Sequence, residues 1–200
     1  DVKYKDLTGE GEVTPGASTL ENHGDLKRIG NNSPRYRVGL NLDAAWKGID
    51  FSIFFQGVLK RDWMFDAGDP YFWGAGSGMW QAACFEEHMD YWTPENTDAY
   101  YPKPYFNETK NQQAQDAYMQ KASYLRCKNI QLGYTLPTHI TEKAGISNCR
   151  IYLSCDNLFT ITGLSSVYDP EAFGSYDGYG TSGKTYPLQR TISVGVNLNF

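Results

Sequence analysis

The chain has 200 residues, with 18 Lys and Arg against 23 Asp and Glu, and carries a net charge of −5. That balance offers no basic field for nucleic acid, and no apolar run reaches the ~18 residues of a membrane helix. Twenty Gly, nine Pro and an aromatic content of 15% disfavour a helix bundle or a disordered chain and favour a β-protein with many turns.

Residues 1–34 read as a lead-in. Within them Asp6, Thr8, Glu10 and Gly11 imitate the opening of a calcium loop, D-x-[DN]-x-[DN]-G. Asp6 and Glu10 are therefore weak metal candidates. Thr8 and Glu10 stand where shorter-armed acids or amides are usual, and a solvated acidic turn is the plainer reading.

Residues 35–46 alternate cleanly. Arg35, Arg37, Gly39, Asn41, Asp43 and Ala45 form one set, and Tyr36, Val38, Leu40, Leu42, Ala44 and Trp46 the other. Period-two alternation means a strand with one wet and one apolar face. Ten residues at ~3.3 Å each, tilted about 45°, span roughly 24 Å, close to the ~25 Å apolar band of a membrane barrel. Tyr36 and Trp46 at its two ends suit the aromatic girdles of such a band. A Lys47-Gly48 turn then predicts a hairpin into a strand from Ile49 to Val58.

Residues 59–122 form a long connection rich in Trp and Tyr, and a loop of that length tends to be functional. Tyr71, Phe72, Trp73 and Trp80 lie among Gly74, Gly76 and Gly78 and are the ligand-binding candidates, because flat rings stack on sugars and on other planar groups. Packing of the loop onto itself is the competing role. Glu86, Glu87 and Asp90 in the same loop bear on glycoside hydrolysis only if held in pairs about 5–10 Å apart, and no second feature supports catalysis. His23, His88 and His139 share no metal-ligand spacing.

A third strand covers about 123–136, with a slip in its alternation near Asn129 that suggests a bulge. A connector with one helical turn at 140–144 leads to a fourth strand from Cys149 to about Thr162. Cys149 and Cys155 lie roughly 20 Å apart along it and cannot bridge each other; all four cysteines read as free thiols that act as small apolar fillers, as free Cys usually does. Residues 163–187 form a second long loop. Its Gly178–Thr185 matches G-x-x-x-x-G-K-T, but Tyr186-Pro187 follows where a phosphate-binding loop needs a helix. The last strand, 188–200, points Ile192, Val194, Val196, Leu198 and Phe200 one way, with polar residues and Gly195 the other.

Short and long connectors alternate, as in outer-membrane barrels with short periplasmic turns and long extracellular loops. The expected fold is all-β: about five antiparallel strands of a large transmembrane β-barrel, with Val38, Leu40, Leu42, Val194, Val196 and Leu198 facing lipid. A water-soluble sandwich would alternate too, its apolar face covered by a second sheet. A secreted carbohydrate-binding β-module is the alternative function that goes with it.

The motifs point the same way. Ile29-Gly30-Asn31-Asn32-Ser33-Pro34-Arg35-Tyr36, Phe54-Phe55-Gln56-Gly57, Trp92-Thr93-Pro94-Glu95-Asn96, Tyr124-Leu125-Arg126 with Lys128-Asn129-Ile130, Asn157-Leu158-Phe159-Thr160 and Tyr168-Asp169-Pro170-Glu171 resemble, in order, stretches of SusC/RagA-type TonB-linked outer-membrane transporters. The resemblance covers the C-terminal part of such proteins, whose barrels have about twenty-two strands. It implies an outer-membrane location and import of bulky nutrients, most commonly oligosaccharides and sometimes peptides. It also implies a SusD-like surface lipoprotein as partner and energy from the TonB system through an N-terminal part not present here. It implies loops 59–122 and 163–187 outside the cell, an assembly signal at Phe200, no bond chemistry and no cofactor.

Overall fold

A computed structural model of the chain describes residues 3–77, 84–106, 108–172 and 185–200. The strands are β1 Arg37–Trp46, β2 Ile49–Val58, β3 Asp62–Trp63, β4 Gln120–Thr135, β5 Asn148–Asp156, β6 Thr160–Gly163 and β7 Thr191–Asn199. One helical turn, α1 Thr138–Thr141, continues as a 3₁₀ turn over Glu142–Ala144. The chain divides into two compact units, one of which gathers residues 3–31 with 63–119 and the other residues 32–62, 120–172 and 185–200.

The second unit is a sheet in the order β1-β2-β4-β5-β7, with β3 and β6 also on β4. Its pairings are antiparallel. The β1–β2 turn places Lys47 and Gly48 at φ +46 and +86, the two left-handed positions that let a two-residue hairpin follow strand twist. Sequence and structure agree on β2, differ by two residues at the start of β1, and differ by up to three residues at the ends of β4 and β7.

β4 explains the slip near Asn129. Phe54 pairs with Asn129 but Phe55 pairs with Cys127, so Lys128 has no opposite number on β2. This bulge reverses the side-chain parity of β4. Leu125 and Cys127 precede it on the same face that Ile130, Leu132 and Tyr134 occupy after it. Without the extra residue, half the strand would present its apolar set to the wrong side.

The predicted fourth strand is interrupted. Asn157 takes φ +52, which Asn tolerates better than most residues, and three residues of this chain stand opposite two of β4. The Asn157 and Leu158 amides still donate to the carbonyls of Lys128 and Cys127, at 3.0 and 3.1 Å. β5 and β6 are thus one bulged strand alongside β4.

The first unit is held by aromatic packing. Phe65 and Phe72 stack at 4.6 Å, and the edges of Trp73, Tyr101 and Tyr118 meet the Phe72 ring at 4.8, 5.7 and 6.3 Å. Buried Gln112 ties the 68–76 turn to this core. Its Nε2 donates to the Gly76 carbonyl at 2.6 Å, and its Oε1 accepts from the Gly68 amide at 2.7 Å. Gly74, at φ +55, is pressed by His88, whose Nδ1 would lie 2.6 Å from any Cβ there. That nitrogen accepts the Phe85 amide at 3.0 Å and starts the 3₁₀ turn Glu86–Met89.

Candidate functional site

The registers carry one apolar row after another across the whole sheet. Trp46, Ile49, Tyr134, Ile151 and Val196 form one row, and Ala44, Phe51, Leu132, Leu153 and Val194 the next. Leu42, Ile53, Ile130, Cys155 and Ile192 form a third. Among the described residues of the sheet unit, no second layer covers this face. Leu40 and Leu42 are 52% and 50% exposed, Val194 and Val196 75% and 54%. Trp46 and Tyr134 share the row nearest the short turns, while Tyr36 lies at the other end of β1, where its carbonyl accepts the Leu59 amide at 2.9 Å. Val38 is half-buried, and Leu198 and Phe200 are exposed.

The opposite face is polar and interlocked. Arg150 of β5 reaches across β4 to Asp50 of β2. Its Nε donates to Asp50 Oδ1 at 2.9 Å, and its Nη2 donates to Asp50 Oδ2 and, at 2.8 Å, to Gln131 Oε1. This bridge passes directly over Gly133, where a Cβ would lie 2.5 Å from Arg150 Nη2 and from Asp50 Oδ1. The guanidinium also lies 4.9 Å from the centre of the Tyr152 ring, and that ring in turn covers Gly195 of β7. Two glycines therefore act as slots for long side chains lying across neighbouring strands.

A second polar cluster sits at the bulge. The Arg126 side chain is 4% exposed and its Asp169 partner 5%. Arg126 Nη2 donates to Asp169 Oδ1 at 2.8 Å and its Nε to Thr160 Oγ1 at 2.7 Å. Its Nη1 lies 3.2 Å from Glu171 Oε1, an ion pair outside hydrogen-bond alignment, while Lys128 Nζ donates to Glu171 Oε2 at 3.1 Å. Asp169 also accepts the amides of Glu171 and Leu188, both at 2.9 Å. Burial raises the Asp169 pKa, but these two amides and the guanidinium outweigh it and hold the carboxyl below its ordinary range. The segment around Tyr168–Glu171 is thereby tied to the polar face. Beside it, an open concavity of about 640 Å³ is lined by Arg37, Gln56, Arg61 and Glu171 among others.

In the first unit, Phe72 and Trp73 are 1% and 5% exposed. Both build the core of the loop, and no open ring face remains on Phe72. Trp73 Nε1 is committed to the Asp66 carbonyl at 2.9 Å. This is a correction to their reading as ligand contacts: a core this size needs its largest rings inside. Tyr71 is half-buried against Phe85 at 6.0 Å, and Trp80 lies outside the described residues, as do Gly178–Lys184. Among the described residues of the 63–119 segment, the exposed aromatics are others, namely Trp92, Tyr100, Tyr105 and Phe106. Trp92 and Tyr105 line a concavity of about 330 Å³ together with Tyr101, Lys103, Gln115 and Tyr118. Burial, and next the neighbouring Tyr100, push Tyr118 up to about 12, and Tyr101 is raised by the same causes. Sequence reasoning missed this set because its members are scattered from 92 to 118.

The carboxylates of the lead-in organise the backbone around them. Asp6 accepts the amides of Gly9 and Gly11 at 2.5 and 2.8 Å, and Asp25 those of Leu7, Thr8 and Thr14 at 2.6, 3.0 and 2.7 Å. The Gly11 and Gly9 amides hold Asp6 below its usual pKa. Glu10 is exposed. No group of three or more acids, His and Cys that could hold a metal occurs among the described residues. The four cysteines are free, Cys84 exposed and the others buried.

No family model matches the chain. It is 30% identical over 204 residues to the TonB-dependent receptor P3 of Formosa agariphila, and 26% identical over 206 residues to the TonB-dependent receptor P26 of the same organism. Those alignments cover 98% and 100% of this chain and 19% of each relative, so the chain spans about a fifth of their length. In solved structures it is similar to the RagAB peptide importer in the open-open state, at 29% identity and a TM-score of 0.62, over 84% of this chain and 17% of that one. It is likewise similar to the RagAB peptide transporter, at 30% identity and a TM-score of 0.59, over 81% and 17%. These proteins are receptors and transporters, not enzymes. With an uncovered apolar face across five antiparallel strands and an interlocked polar face behind it, the 200 residues are a segment of an outer-membrane β-barrel of the TonB-dependent, SusC/RagA-type transporters.

Proposed function

We propose that this segment forms five neighbouring staves of an importer for bulky nutrients, with its apolar face on lipid and its polar face on the passage. The two long connections, 59–122 and 163–187, are its extracellular loops. The observation that carries this is the exposure of unbroken apolar rows, which in water would be a severe liability. The girdle is Tyr36 at one edge and Trp46 at the other. Oligosaccharides are the proposed cargo, a surface lipoprotein of the SusD kind the extracellular partner, and TonB the energy source through parts of the protein beyond this segment. The likeness to RagAB, described as a peptide importer, favours peptides as the second reading.

Facing is tested by thiol labelling of the intact, cysteine-free receptor in vesicles. Asn41→Cys should react with a membrane-impermeant maleimide and Leu42→Cys should not; equal labelling would refute the wall. Cargo is tested by uptake of labelled oligosaccharide and labelled peptide by cells with and without the receptor. Uptake of peptide alone would replace the first reading by the second.

A further inference from the structure

Within the loop unit, the 330 Å³ concavity is at the small end of ordinary ligand sites, which run ~300–1,000 Å³. Its lining is aromatic, with Trp92 at 39% and Tyr105 at 42% exposed. The one charged lining residue is Lys103. Lys103 pairs with no carboxylate among the described residues, and its Nζ lies 5.6 Å from the centre of the Tyr105 ring. Lys110 approaches the same ring at 4.9 Å. Glu108, on the narrower pocket behind Tyr105, is turned to the Lys110 amide, which donates to its Oε1 at 3.1 Å. Gln115 spends its Nε2 on the carbonyls of Asn111 and Gln113, at 2.9 and 3.1 Å, which leaves Oε1 as an acceptor at the wall.

We propose that this concavity is a binding subsite for an anionic sugar residue, carboxylated or sulfated, at the end of an oligosaccharide. The proposal rests on the oligosaccharide reading above and deepens it. Tyr105 and Trp92 supply ring faces for the apolar C–H side of a pyranose. Lys103 supplies the counter-charge, held in place by its attraction to the Tyr105 ring. Gln115 Oε1 accepts a sugar hydroxyl. An extended peptide fits less well, because peptides of that form dock by adding to a sheet edge. Among the described residues, the bridges of this unit outside the named strands are isolated, Tyr91 with Tyr101 and Thr93 with Asn96.

The test uses the intact receptor in detergent, titrated calorimetrically with trigalacturonate, galactose 6-sulfate, maltotriose and triglutamate. One or both anionic sugars should bind at least tenfold more tightly than maltotriose and triglutamate, and the tighter of the two identifies the anion. Lys103→Gln and Tyr105→Ala should each weaken that binding about tenfold or more, and Lys103→Arg should restore it to within about threefold. All three variants should reach the outer membrane at wild-type level, since these side chains are exposed. Binding of triglutamate above both sugars, equal binding of maltotriose, or full affinity in Lys103→Gln would overturn the subsite. If the receptor resides in the outer membrane and imports an oligosaccharide yet binds neither anionic sugar, the subsite alone fails. If it imports no oligosaccharide, the underlying reading fails.

Discussion

The Arg126–Asp169 pair makes the sharpest prediction, because both side chains are almost wholly removed from water. Arg126→Met keeps the stem and deletes the charge. It strands Asp169 without its guanidinium, leaves Thr160 Oγ1 without its donor, and reduces Glu171 to Lys128 alone. Removing one member of a buried pair costs ~3–5 kcal/mol, because the other is left desolvated and uncompensated. Much of that falls on local opening of the 164–172 segment rather than on the sheet, whose ladder is untouched. At ~1.4 kcal/mol per factor of ten, the amides of Glu171 and Leu188 should exchange about a hundred- to a thousandfold faster in the intact receptor. Hydrogen exchange read by mass spectrometry of the 164–172 and 185–190 peptides checks this. The double variant Arg126→Met/Asp169→Leu removes both charges and should recover most of the protection on the 164–172 peptide, since apolar replacement of both partners is often near neutral. Exchange within about threefold of wild type in Arg126→Met would refute the claim that this pair pins the segment.

Three further outcomes follow from the same geometry. Asp169 has a folded pKa below its unfolded value of about 3.9, so its contribution is complete above that value and is lost as pH falls through the folded one; pepsin should cut within 164–172 increasingly below about pH 4, and equal cleavage at pH 4.5 and 2.5 would contradict it. Leu42→Arg places a charge at mid-strand on the apolar face and should cost ~2–4 kcal/mol in lipid, whereas Asn41→Arg one residue away should cost almost nothing; unfolding in denaturant from vesicles compares the two. Gly133→Ala should push Arg150 and Asp50 apart and cost about 1–3 kcal/mol, the usual penalty of overpacking, read as a lower temperature for loss of the heat-resistant folded band on gels, and an unchanged temperature would show that the bridge flexes freely.

Much of the sheet was readable because period two needs no tertiary information. β1 and β7 each carry an uninterrupted apolar set, and their facing follows from counting. β4 was readable only in part. The slip near Asn129 announced a bulge, but that Lys128 is the extra residue, and that it restores the apolar set to one face, requires the β2 register. The break at Asn157 has no Gly or Pro to mark it. The loop was harder for a different reason. A Trp or Tyr brings the same apolar area to a core as to a ligand, so only contacts between residues such as Phe72 and Tyr118, far apart in the chain, decide which role each ring takes. The pairing of Arg126 with Asp169 across 43 positions is invisible to any local pattern.

Glycine on the polar face illustrates how composition can mislead about mechanism. In sequence, Gly133 and Gly195 look like gaps in a wet surface. In the sheet they are the places where Arg150 and Tyr152 lie flat across a neighbouring strand, and Gly133 itself is buried under that bridge. The result inverts the burial of a water-soluble protein. Leucine, isoleucine and valine stand open on one face, while arginine, aspartate and glutamine are packed against one another on the other. Such an arrangement suits the proposed wall, in which the apolar rows would meet hydrocarbon at no cost and the polar groups would satisfy one another or the water of a passage. The interlocked charges also tie together β2, β4 and β5, strands that no short hairpin joins. Register in this part of the sheet is therefore set from the polar face, by side chains that reach over glycine.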